Sequence, residues 1–113
     1  MLDKLEKSEA RYRELEAQLA DATIISDQST YQKLAKEYAG LGALVETLRL
    51  YRETKVQIAE LNHLLKEKHD KDFEELARAE LVDLKEKEEE LFKKLKDFAN
   101  PKKEEKDQDV IIE

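Results

Sequence analysis

Apolar residues at the start of the chain fall at Leu2, Leu5, Tyr12, Leu15 and Leu19, with charged residues between them. Steps of three, four and seven return a side chain to one face of a 3.6-residue helix, so the pattern predicts a first helix over about 2–20. Ile24 and Ile25 break the pattern. Ser26-Asp27-Gln28-Ser29 then offers side-chain oxygens to the free N–H groups of a second helix, expected over 27–66. Its stripe reads Tyr31, Leu34, Tyr38, Leu41, Val45, Leu48, Tyr51, Ile58, Leu61 and Leu65, uninterrupted by Pro. Nearly 40 residues of helix span about 60 Å, which suits half of a coiled-coil hairpin or a rod with several partners.

Lys66-Glu67-Lys68-His69-Asp70-Lys71-Asp72 has no apolar residue and reads as a reversal, with Asp70 or Asp72 able to cap the next helix. That third helix, over 72–99, carries Phe73, Leu76, Ala77, Leu81, Leu84, Leu91, Leu95 and Phe98, with Glu89/Lys93 and Glu90/Lys94 as outer charge pairs. Asn100-Pro101 ends it. The expected fold class is all-α: a three-helix antiparallel bundle dominated by a long coiled-coil-like helical hairpin, forming a helical domain over 1–100. Residues 101–113 read as a charged linker, with Val110-Ile111-Ile112 as the truncated first strand of a following domain.

Folding the third helix back near residue 69 brings Phe98 opposite about Gly40, and folding the first back near residue 23 brings Leu2 and Leu5 opposite 42–48. Ala39, Gly40, Gly42 and Ala43 lie there. On this reading the small residues let Leu91, Phe92, Leu95 and Phe98 approach the backbone closely; the alternative is that the glycines only weaken or bend a long helix.

Composition narrows the function classes. With 43% charged against 40% hydrophobic residues, 2 Gly, 1 Pro and no Trp, apolar surface is confined to narrow stripes and strand-rich folds are excluded. A net charge of −7 repels nucleic-acid phosphate over most of the surface. The absence of Cys removes disulfides and thiolate chemistry, and the expected location is cytoplasmic. No run approaches the roughly 18 apolar residues of a membrane span, and the first residues lack the apolar core of a signal peptide.

Among 28 carboxylates, pairs such as Glu86/Glu90 arise by composition and carry no information about acid–base catalysis. His63 and His69 are six apart, near opposite faces of a continuous helix, and do not form a metal pair at i, i+4 spacing. No Gly-rich phosphate loop or nucleophile elbow occurs, and Ser8, Ser26 and Ser29 fall on a helix face or at a cap. Tyr12, Tyr31, Tyr38 and Tyr51 form a stacking surface on one reading, but all lie on the apolar stripe, which favours core packing. Arg11, Arg13, Arg49, Arg52 and Lys55 make a local positive surface on one reading and ordinary solvated charge on the other. The residues therefore assign no catalytic, cofactor-binding or metal-binding group and single out no binding residue. They describe a helical interaction module.

Ile25-Ser26-Asp27-Gln28 followed by Tyr31-Gln32-Lys33-Leu34-Ala35-Lys36-Glu37-Tyr38, Val45-Glu46 and Tyr51-Arg52 resembles the N-terminal domain of the bacterial peptide chain release factor 1 family, class I factors that read UAA and UAG. The resemblance extends to Met1-Leu2-Asp3-Lys4-Leu5 with Arg11-Tyr12, to Ala77-Arg78-Ala79-Glu80-Leu81, and to Pro101-Lys102 with Val110-Ile111-Ile112-Glu113. Gly40 and Gly42 depart from it, since the family usually has larger or acidic residues there. So does Phe98-Ala99-Asn100, where it usually has leucines. The family's codon-reading tripeptide and its Gly-Gly-Gln loop lie in later domains, so none of these residues inherits a catalytic role. The resemblance implies a helical domain of a translation termination factor that contacts the ribosome at the large-subunit stalk base and the small-subunit head. It also implies the class II release factor GTPase as a functional partner, and neither a membrane nor a small-molecule substrate. A self-associating structural coiled coil or prefoldin-like chaperone hairpin is the rival from another class, suggested by the leucine stripes.

Overall fold

A computed structural model describes residues 2–99 of the chain. Four helices occur among the described residues: α1 (Leu2–Leu19), α2 (Ala22–Ser26), α3 (Gln28–Leu64) and α4 (Lys71–Ala99). They group into two compact units, one holding 2–46 with Phe98 and Ala99, the other Thr47–Asp97. The expected linker and strand at 101–113, and the Asn100-Pro101 stop, lie outside the described residues.

In the first unit the chain reverses through a short helix where the sequence predicts only a break. Asp21 caps α2: its carboxylate accepts from the Thr23 backbone N–H at 2.9 Å and from the Thr23 hydroxyl at 2.8 Å. Five residues are too few for apolar periodicity to register, so Ile24 and Ile25 give no helical signal in the sequence. Asp27 ends α2 by donating its N–H to the Ile24 carbonyl, and it starts α3 by accepting from the Thr30 hydroxyl at 2.8 Å. The 26–29 cluster thus caps a helix as expected, through its aspartate. Reversal about residues 24 and 25 sets Leu5 level with Leu44 and Val45, and Leu15 level with Leu34. Leu5, Leu15, Leu44 and Val45 are buried, each worth about 1.5–3 kcal/mol of transfer free energy.

In the second unit the C-terminal part of α3 and α4 form the long hairpin. Lys66 and Glu67 close the end of α3 with N–H groups bonded to the His63 and Leu64 carbonyls at 3.2 Å. His69 Nε2 lies 2.7 Å from the Leu64 oxygen, which requires the nitrogen to donate, and the ring tilts against Phe73. Of the two candidate caps, Asp70 serves: its carboxylate accepts from the Phe73 N–H at 2.8 Å and its carbonyl from the Glu74 N–H at 3.1 Å. Leu48, Tyr51, Thr54, Ala77, Leu81, Leu91 and Leu95 are buried. Thr54 hides its hydroxyl by donating to the Leu50 carbonyl at 2.8 Å. The predicted outer pair Glu89/Lys93 forms at 4.0 Å.

Three packing expectations need correction. The Tyr51–Phe92 ring contact and the Lys55–Glu88 ion pair are both centred between residues 71 and 72, beyond the pivot at 69. A Cβ built on Gly40 or Gly42 would meet nothing within 4 Å, so the glycines do not admit a close helix approach. Leu76 is 72% exposed, because it and Ala77 point about 100° apart on α4 and Ala77 takes the inward position. Tyr31 and Phe98, at 37% and 36% exposed, sit at the margin of the core the stripes place them in.

Candidate functional site

Residues that the sequence offers as chemistry mostly hold the helices together. Arg11 reaches from α1 to the Glu37 carboxylate of α3 with two parallel bonds, Nε to Oε2 at 2.7 Å and Nη2 to Oε1 at 2.8 Å, and also pairs with Glu14 on its own helix. These bonds, Glu37 first and Glu14 second, hold the guanidinium pKa above its ordinary value, while Arg11 holds the Glu37 carboxyl below the usual carboxylate range. Next to this clamp Tyr12 stacks on Tyr38, with ring centroids 4.3 Å apart and planes 10° from parallel. The Tyr38 hydroxyl donates to Glu16 at 3.2 Å. The adjacent Tyr12 hydroxyl, desolvation and the Glu16 charge together push the Tyr38 phenol up to about 12.

The four tyrosines therefore do not make one stacking surface. Tyr12 and Tyr38 stack on each other, Tyr51 is buried against Phe92 at 5.8 Å between centroids, and Tyr31 is partly exposed away from both contacts. The basic residues are committed in the same way. Arg13 lies 3.7 Å from the buried Glu9, and Lys55 donates to Glu88 at 3.2 Å while lying 5.3 Å from the centre of the Tyr51 ring. Glu88, first, and the Tyr51 phenol raise the Lys55 pKa. Arg49 and Arg52 are also engaged. Of the five basic residues, Arg11, Arg13 and Lys55 are thus paired with carboxylates of their own unit.

No three His, Asp or Glu side chains converge as metal ligands among the described residues. His63 stands on the exposed side of α3 and His69 is spent on the turn. Two open grooves mark the second unit. One, of about 490 Å³, is lined by Tyr51, Lys55, Lys85, Glu88, Glu89 and Phe92. The other, of about 460 Å³, runs along α3 over Val56, Ala59, Glu60, His63 and Leu64, and the sequence reading missed it. Its signal was present in the spacing 56, 59, 63 and 64, hidden because the inward stripe of the same helix is longer and more apolar.

The geometry also shows what the family-like motif does. Arg11-Tyr12 and Glu37-Tyr38, far apart in sequence, meet as clamp and stacked pair; Ser26-Asp27-Gln28 carries the α2–α3 junction; Ala77 and Leu81 point into the hairpin. The family model for the PCRF domain matches residues 8–113. The chain belongs to the PCRF domain family. Among curated relatives, the proteins named peptide chain release factor 1 from Carboxydothermus hydrogenoformans, Desulfitobacterium hafniense and Agathobacter rectalis are 39%, 42% and 41% identical to it over all 113 residues. The chain spans 32% of the length of each. No solved structure matches it. Membership of the PCRF family thus rests on nearly the whole chain, and the motif residues that carry it are structural ones.

Proposed function

We propose that the chain is the helical N-terminal domain of a class I peptide chain release factor, serving termination at UAA and UAG by binding and positioning on the ribosome. The observation that carries this reading is the PCRF match over residues 8–113, together with relatives at about 40% identity that all bear the same factor's name. The match favours termination over a self-associating coiled coil or a prefoldin-like hairpin. On this reading the domain does no bond chemistry, acts in the cytoplasm, contacts the stalk base of the large subunit and the head of the small subunit, and works alongside the class II release factor GTPase.

The test replaces the N-terminal third of the Carboxydothermus factor with this chain and measures release of a labelled dipeptide from ribosomes stopped at UAA, UAG or UGA. Release at UAA and UAG well above that of the same factor lacking its N-terminal third is the expected outcome. A folded chimera no better than the deletion would overturn the assignment.

A further inference from the structure

Tyr12 on α1 and Tyr38 on α3 bring two phenols into contact. Their rings are 4.3 Å apart between centroids and 10° from parallel, just beyond van der Waals contact, so ring carbons of one face ring carbons of the other. Both residues are half-buried at the seam between the two helices. The Tyr12 and Tyr38 hydroxyls bond to each other, which puts the ring carbons ortho to them at the same end of the stack. Arg11 and Glu37, each one residue earlier on its helix, clamp α1 and α3 at this level. Glu16 accepts from the Tyr38 hydroxyl at 3.2 Å and so places a base on the phenol proton. The other tyrosines lack a phenol within reach among the described residues. Tyr51 packs on Phe92, which has no hydroxyl, and Tyr31 stands two turns from Tyr38, about 10 Å along α3.

From this juxtaposition we infer that the Tyr12–Tyr38 pair is an oxidative cross-linking site, at which a one-electron oxidant joins α1 to α3 through a dityrosine bond. The oxidant takes one electron from each phenol. The Tyr38 proton passes to Glu16 and the Tyr12 proton to water, leaving two phenoxyl radicals whose unpaired electrons extend to the ortho carbons. One ortho carbon of each ring contributes to a single new C–C bond. Each of these carbons then releases its hydrogen as a proton, and each phenol oxygen regains one. Two equivalents of oxidant are reduced, two protons are lost in all, and the product is lighter by two hydrogen atoms. Rings already in contact need no bimolecular encounter, an advantage that reaches an effective concentration of about 10⁵ M or more in well-oriented pairs. The bond closes the first unit covalently around the α2 reversal. The inference stands apart from the termination reading, because it rests on this pair alone.

The test irradiates the 113-residue chain at micromolar concentration with tris(bipyridine)ruthenium and persulfate, a photochemical one-electron oxidant, and reads dityrosine fluorescence, intact mass and linked tryptic peptides. A monomer lighter by two hydrogen atoms, with residues 12 and 38 in one linked peptide pair, is expected. Tyr12→Phe and Tyr38→Phe should each lower monomeric dityrosine about tenfold or more, while the retained ring keeps helix content at the parent value. Tyr31→Phe and Tyr51→Phe should leave the yield unchanged. Denaturing urea should lower the parent yield as far as Tyr12→Phe does, because it separates the rings. Linkage through Tyr31 or Tyr51, dityrosine confined to covalent dimers, a yield as high in urea as in buffer, or monomeric dityrosine undiminished by Tyr12→Phe would overturn the proposal.

Discussion

Replacing Gly40 and Gly42 with alanine should stabilise the protein, although both lie in the middle of its longest helix. Neither glycine has positive φ, and an added Cβ at either position meets open space, so the substitution introduces no clash and needs no backbone shift. Alanine in a helix interior is favoured over glycine by about 0.8–1 kcal/mol, part of it from a less flexible unfolded chain. The positions project from different sides of α3 and share no neighbour, so the gains should add to about 2 kcal/mol. For a domain of this size that raises the melting temperature by roughly 8–16 °C. Both sites fall in the first unit, whose unfolding should be followed by tyrosine emission from the Tyr12–Tyr38 pair as well as by helical circular dichroism; the chain has no Trp to mask the signal. A double variant that melts at or below the parent temperature would refute the reasoning, since only a side chain packed against those positions could cancel the propensity gain.

Other substitutions test the packing and the polar clamp. Leu15 is wholly buried, so Leu15→Ala should cost about 2–5 kcal/mol in urea unfolding, whereas Leu76→Ala, on an exposed position, should cost under about 0.5 kcal/mol. Because Arg11 lowers the Glu37 pKa in the folded state, that pair's contribution is full above the unfolded carboxylate pKa and fades as pH falls through the folded one; Glu37→Gln should flatten the acid limb of the stability curve, with its cost shrinking as the pH is lowered. Absorbance titration at 295 nm should show Tyr38 ionising at about 12 instead of 10, and Tyr12→Phe should bring it back toward 10, since the Tyr12 hydroxyl is the main cause of the rise.

How much of this was legible in the chain depends on the range of the forces involved. Apolar spacing and oxygen-bearing caps act within a turn or two, so they located α1, α3 and α4 and named Asp27 and Asp70 among the cap candidates. Periodicity failed at α2, which is shorter than the window it needs. For the candidate site, the residues offered no catalytic constellation, and the outer face of α3 went unseen behind a stronger inward stripe on the same helix.

Sequence by itself determined that the chain is helical, acidic and striped, because 43% charged residues with leucines three and four apart have no other way to bury apolar surface. Its motif residues also determined the family. Tertiary structure alone decided the register, and register depends on where the turn residues actually cap. The hairpin centres between residues 71 and 72 instead of at 69, and open space surrounds Gly40 and Gly42. It was likewise only in three dimensions that Arg11 found Glu37 and Tyr12 found Tyr38, because a contact 26 residues apart depends on how the intervening chain turns, which no local pattern encodes.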